Sequence, residues 1–144
     1  MLFRSLHATW PVGVDGERLR PALEWRPLAA RLFAEGECLA LERLPAAEQP
    51  QAFLRAWCRL EARLKARGSG LAGLEAARRQ AARAVALLEA AADRAELRVG
   101  GLGLQAGEQL WDLRLPEGYS GALACLGREG QGLAADLAEG PGGE

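Results

Sequence analysis

The segment that most constrains this fold runs from residue 51 to residue 67, QAFLRAWCRLEARLKAR, and closes on Gly68. Phe53, Leu54, Trp57, Leu60 and Leu64 recur every three or four positions. In a helix that spacing makes one apolar stripe, which needs a partner surface to bury it. Lys65 and Arg67 fall in the last turn, where cations suit the helix end, and Gly68 stands where a left-handed residue stops the helix.

The flanking segments indicate what covers the stripe. After Glu96, LRVGGLGL, QLWDLRL and SGALACLG alternate or run apolar over short lengths between Gly-rich and Pro-Glu-Gly turns. Those features predict strands in an antiparallel set. At the other end, FRSLHATWPVGV leans toward β and is broken by Pro11. From about Pro27 to Leu44, Leu28, Leu32, Phe33, Leu39 and Leu41 recur at helical spacing, with a kink or restart expected near Gly36. Pro27 suits the first turn of such a helix. Residues 73–94 are Ala-rich and strongly helix-forming, with Leu74, Ala77, Ala81, Val85 and Leu88 as their stripe. The class that follows is α+β, with helices packed on a small antiparallel sheet. At 144 residues the chain forms one domain, here placed at residues 1–130, with a frayed Gly- and acid-rich tail over 131–144.

Composition excludes several function classes. Net charge is −1, so no basic footprint argues for nucleic acid. No apolar run approaches the length of a membrane span, and the first residues lack a secretory pattern, so a cytoplasmic location is expected. Three cysteines without metal-type spacing and the single histidine, His7, argue against zinc and for reduced thiols. His7 reads as a strand or surface residue, Trp57 as core, and Cys58 and Cys125 as buried small apolar groups. The arginines of ARLKARG and ARRQAAR read as solvated helix faces; the rival is a shallow basic surface for an acidic partner.

Two short stretches carry candidate chemistry. In VGVDGERL, an extended backbone projects Asp15 and Glu17 from the same face, with a glycine between them that permits close approach. In the long helix, Glu61 and Lys65 are one turn apart, at the edge of the apolar stripe. Each has a commonplace reading: Asp15-Gly16 as a turn, and Glu61/Lys65 as a surface ion pair. Taken together, three carboxylates suit a hard divalent cation such as Mg²⁺, and a lysine suits a phosphate oxygen.

VGVDGERL, followed by WCRLEARLKARGSGL, resembles the 4′-phosphopantetheinyl transferases, whose signature is a G-(V/I)-D-x-E strand and a W-(S/T)-x-K-E-A-x-x-K-x-x-G-x-G helix. LAARLFAEGECLALERLPAAEQPQAFLRAW between them, where the family has an Arg-Phe-Phe segment, an acidic helix start and a Leu-rich helix, and LPEGYSGALACLG near the end extend the likeness over most of residues 11 to 127. The resemblance implies a half-domain of that fold. It also implies transfer of the phosphopantetheine arm of coenzyme A to a serine of an acyl or peptidyl carrier protein. Carried over residue by residue, Asp15, Glu17 and Glu61 would hold Mg²⁺, and Lys65 would lie by the phosphates. Glu61 or a water would serve as base. The pattern departs at Leu60, where the family has a lysine, and at Cys58, where it has a small hydroxylated residue. The chain matches only one of the two halves of long family members, so a homodimer or homotrimer with sites between subunits is expected. A catalytically silent module that binds a carrier protein or partner subunit is the alternative, favoured by Leu60.

Overall fold

The computed structural model describes residues 11–68, 70–76, 78–79, 104 and 107–127. The elements in order are β1 (Val12–Arg18), α1 (Trp25–Leu32), α2 (Glu35–Glu42), α3 (Gln49–Arg67), a short 3₁₀ turn (Gly70–Gly73), β2 (Glu108–Asp112) and β3 (Tyr119–Leu126). The expected α+β class is the observed one: helices packed on a three-stranded antiparallel sheet of order β1-β3-β2. His7, most of the Ala-rich segment 73–94, the strand expected in LRVGGLGL and the tail 131–144 lie outside the described residues.

Asp15-Gly16 is not a turn. Val12 to Arg18 is continuous strand, paired with β3 from Val12↔Cys125 to Arg18↔Tyr119, with Gly16 opposite Gly121. Local sequence cannot distinguish the two cases, because Asp-Gly is turn-prone only where no partner strand takes up its backbone groups.

Helix α3 spans the sheet and has two buried faces, not one. Its large residues Phe53, Leu60 and Leu64, with Ala56, pack against Trp25, Ala29, Phe33 and Leu41 of the first two helices and their junction. Its small residues Cys58, Ala62 and Ala66 meet Ala122 and Ala124 of β3. Small side chains on both surfaces let helix and sheet approach closely. The closest point is Gly13, where a Cβ would stand 2.0 Å from the Ala62 carbonyl oxygen and 2.4 Å from the Ala66 nitrogen. Gly68 ends α3 with φ of 65°, as its position predicts.

The break between the first two helices falls at Phe33–Ala34, not at Gly36, which lies inside α2. Both junction residues are extended. Glu37 Oε2 accepts a hydrogen bond from the Ala34 N–H at 3.1 Å, so a side chain one turn ahead starts the new helix. The break also drops Phe33 into the core, edge-on to Phe53 at 6.0 Å. Leu28 and Leu39, expected on the inner stripe, are instead exposed, and Trp25 and Ala29 take the inner positions.

The arginines of α3 also differ from expectation. Arg63 and Glu108 form a nearly fully buried ion pair at 2.7 Å, with side chains 3% and 1% exposed. Arg67 adds a second contact to Glu108 at 2.6 Å, and Arg59 Nε donates to Asp112 at 2.7 Å. Residues 59, 63 and 67 share one side of α3, and Glu108 and Asp112 share one face of β2, so the ladder fixes the helix on the sheet. For Arg63 and Arg67 the solvated-face reading is wrong; among the described residues Arg78 pairs with Glu75 at a long 3.8 Å.

Candidate functional site

The opposite side of α3 faces β1, and there the sequence-predicted residues meet. Alternation along β1 turns Gly13, Asp15 and Glu17 to one face. One-turn spacing sets Trp57, Glu61 and Lys65 along the facing edge of the helix. Because Gly13 lets the two backbones touch, Asp15 sits at the helix surface and is only 7% exposed. Glu17, two residues on, emerges at the rim and is exposed.

Lys65 reaches across to the strand. Its Nζ donates to Asp15 Oδ1 at 2.8 Å and to the Val14 carbonyl at 3.3 Å. That differs from the i,i+4 pairing with Glu61 that spacing alone suggests; the buried carboxylate is the stronger attractor because it has lost its water. The hydrogen bond it donates to Asp15 raises the Lys65 ammonium above its ordinary range, and the charges of Asp15, Glu61 and Glu17 act the same way. The other carboxylate oxygen, Asp15 Oδ2, is buried with no hydrogen-bond partner among the described residues.

Glu61 is half-buried beside this pair. Burial raises its carboxyl above the usual range, the charge of Asp15 adds to the rise, Lys65 opposes it, and Glu17 contributes a further small push upward. All four candidate residues therefore belong to one electrostatic neighbourhood. Among the described residues, however, no three His, Cys, Asp or Glu side chains stand as a preformed metal cage, and Lys65 is the partner of Asp15.

The donor set nevertheless fits a hard cation. Every candidate ligand is a carboxylate oxygen, and Oδ2 of Asp15 is a buried acceptor without a hydrogen-bond partner among the described residues. Glu61 resists ionisation for the same reason, and a nearby cation would relieve both.

Two further groups, not singled out for this role by sequence, brace the Glu17 end. Ser120 lies opposite Glu17 in the β1–β3 register. Its hydroxyl accepts a hydrogen bond from Gln51 Nε2 at 2.7 Å, and its carbonyl accepts from the Cys58 thiol at 3.4 Å. Only the strand register brings Ser120 here, so no sequence spacing could have found it. Burial, followed by the charge of Asp15, pushes the Cys58 thiol up to about 12. It is a neutral filler, as expected of a buried small group.

A cavity of about 510 Å³ opens beside this rim. Its lining joins Glu17, Arg18, Arg20 and Arg31 to an apolar floor that includes Phe53 and Trp57. It touches the site at Glu17 and does not cover Asp15 or Glu61. Trp57 is thus partly core and partly cavity wall.

A model of the 4′-phosphopantetheinyl transferase superfamily matches residues 11–124, which include both β1 and α3. The chain is 39% identical over 71 residues to the 4′-phosphopantetheinyl transferase HetI of a Nostoc species, covering 49% of this chain and 30% of that protein. It is 44% identical over 57 residues to the 4′-phosphopantetheinyl transferase AcpT of Salmonella typhimurium, covering 40% of this chain and 30% of that protein. The matched part therefore spans about 30% of the length of these relatives. No solved structure matches. With the superfamily model spanning the sheet and the helix that form the site, the chain belongs to the 4′-phosphopantetheinyl transferase superfamily.

Proposed function

We propose that this chain transfers the 4′-phosphopantetheine arm of coenzyme A to a serine hydroxyl of an acyl or peptidyl carrier protein. Asp15, Glu17 and Glu61 would hold Mg²⁺, and Lys65 would contact a phosphate of coenzyme A. The carrying observation is the buried Oδ2 of Asp15, without a hydrogen-bond partner among the described residues, on a carboxylate that Lys65 pairs and whose charge Glu61 feels, in the stretch the superfamily model matches. Bound Mg²⁺ would supply charge neutralisation on the diphosphate oxygens.

The chain's own groups do the rest. The close β1–α3 contact at Gly13 fixes Asp15 against the helix, so this one ligand would need little reorganisation. The serine oxygen bonds to the β-phosphorus as the bond to 3′,5′-ADP breaks, and the serine proton passes to Glu61 or to a water. The raised proton affinity of Glu61 supports it as acceptor. The site is open on the cavity side. A second copy of the chain, in a dimer or trimer, would supply the missing wall.

One observation favours a second reading, a silent module that binds a carrier protein or partner subunit. Leu60 is 4% exposed and belongs to the helical core. A residue in that setting supplies packing and no charge near a nucleotide. Incubation of the purified chain with coenzyme A, Mg²⁺ and an apo-carrier protein, read by mass spectrometry, separates the two. The transferase reading expects the carrier to gain one phosphopantetheine. An unmodified carrier that still binds the chain would establish the silent module.

A further inference from the structure

We infer that Lys65 is a stand-in cation: it occupies Asp15 until a divalent ion displaces it, and is thereby released toward substrate. The inference rests on the metal reading above but adds a competition which that reading does not contain.

The geometry has two halves. Asp15 is anchored, being 7% exposed on a strand whose backbone touches α3 at Gly13. It cannot turn outward to find water. Lys65 is its opposite, with a side chain 50% exposed and a flexible four-carbon stem. Of the two partners, only the lysine can leave. Its two acceptors, Asp15 Oδ1 and the Val14 carbonyl, both belong to β1, so one rotation of the stem away from the strand breaks both contacts.

The buried carboxylate supplies the reason for the arrangement. A buried carboxylate needs a polar or cationic partner to offset its desolvation. Lys65 satisfies Oδ1 and leaves Oδ2 without a hydrogen bond among the described residues. The Lys65 ammonium thus holds the Asp15 side chain in place through Oδ1 while Oδ2 stays open to another partner. A divalent ion reaching Oδ2 competes for the same carboxylate, and the freed ammonium stays within one side-chain length of the ion. Metal binding and phosphate contact become coupled through one residue, with no backbone movement.

The test uses the full chain and Mn²⁺ as the probe, with bound ion counted by electron paramagnetic resonance and thermal unfolding followed in parallel. Lys65→Met should bind Mn²⁺ about tenfold more tightly than wild type or better, on the scale of the charge-assisted hydrogen bond the ion no longer has to break. The same variant should unfold at a lower temperature without metal and regain that loss when Mn²⁺ is added. Lys65→Arg, which keeps the cation, should resemble wild type in both readouts. Wild type that binds Mn²⁺, with Lys65→Met binding equally or more weakly, overturns this inference and leaves the metal reading standing. Wild type that binds no Mn²⁺ overturns both.

Discussion

Replacing Gly13 with alanine should damage the site without touching any of its charged residues. A Cβ at this position would stand 2.0 Å from the Ala62 carbonyl oxygen, 2.4 Å from the Ala66 nitrogen and 2.9 Å from the Lys65 Cβ. Two of these are backbone atoms of a helix held by the Arg63–Glu108 pair, so they cannot rotate aside. Ordinary contact begins at 3.4 Å, so β1 must retreat from α3 by more than 1 Å. Overpacking of this kind costs about 3 kcal/mol, the upper end of the usual range, because no flexible side chain can absorb it. The larger consequence is functional. Asp15 is two residues along the same strand, and a displacement of about 1 Å can cost on the order of a hundredfold in rate. Urea denaturation gives the stability term, and Mn²⁺ titration of the folded variant gives the site term. Wild-type stability together with wild-type metal affinity would refute the claim that this contact sets the distance between the two halves of the site.

Other perturbations separate burial from exposure and structure from site. Arg63→Met removes the buried partner of Glu108 and leaves it the Arg67 contact, so it should cost about 3 kcal/mol in urea denaturation, the low end for a broken buried pair. Arg59→Met, whose partner Asp112 is 43% exposed, should cost about 0–1 kcal/mol, and equal losses for both would contradict the assigned burial. Glu61 has a raised folded pKa, so its ionisation weakens the fold as pH climbs through that value. Glu61→Gln should therefore raise the melting temperature at neutral pH without metal and reduce the rise caused by Mg²⁺; an unchanged Mg²⁺ response would remove Glu61 from the ligand set. The Cys58 thiol, at about 12 against 9.0 when unfolded, should resist alkylation in the folded chain at pH 8. Across that pH window the unfolded state loses its proton first, so stability should fall from pH 9 upward, and Cys58→Ala should flatten the alkaline limb.

Helix α3 was legible because large residues at a 3.6 period announce a buried stripe. Its second buried face was not, because Cys58, Ala62 and Ala66 carry too little apolar surface to register as a stripe. The buried role of Arg63 was hidden for a different reason. Its partner Glu108 is 45 residues away, and only the packing of β2 beside α3 joins them. The break near Gly36 was misplaced because glycine is a local signal, whereas the observed break is set by the tertiary contact of Phe33 with Phe53. The site residues were legible as a family pattern: the strand and helix motifs named Asp15, Glu17, Glu61 and Lys65 together. Which of them pair was not legible. Spacing joins Lys65 to Glu61, but burial joins it to Asp15.

The central claim is that the buried carboxylate of Asp15 is a metal ligand held ready against α3. A crystal structure of the chain grown with Mg²⁺ and coenzyme A tests it most directly. That structure should show an ion about 2.0–2.1 Å from Asp15 Oδ2, with a Glu61 oxygen also in its coordination sphere and Lys65 Nζ moved from Asp15 to a phosphate oxygen. An ion bound away from Asp15, with Lys65 still on Oδ1, would contradict it.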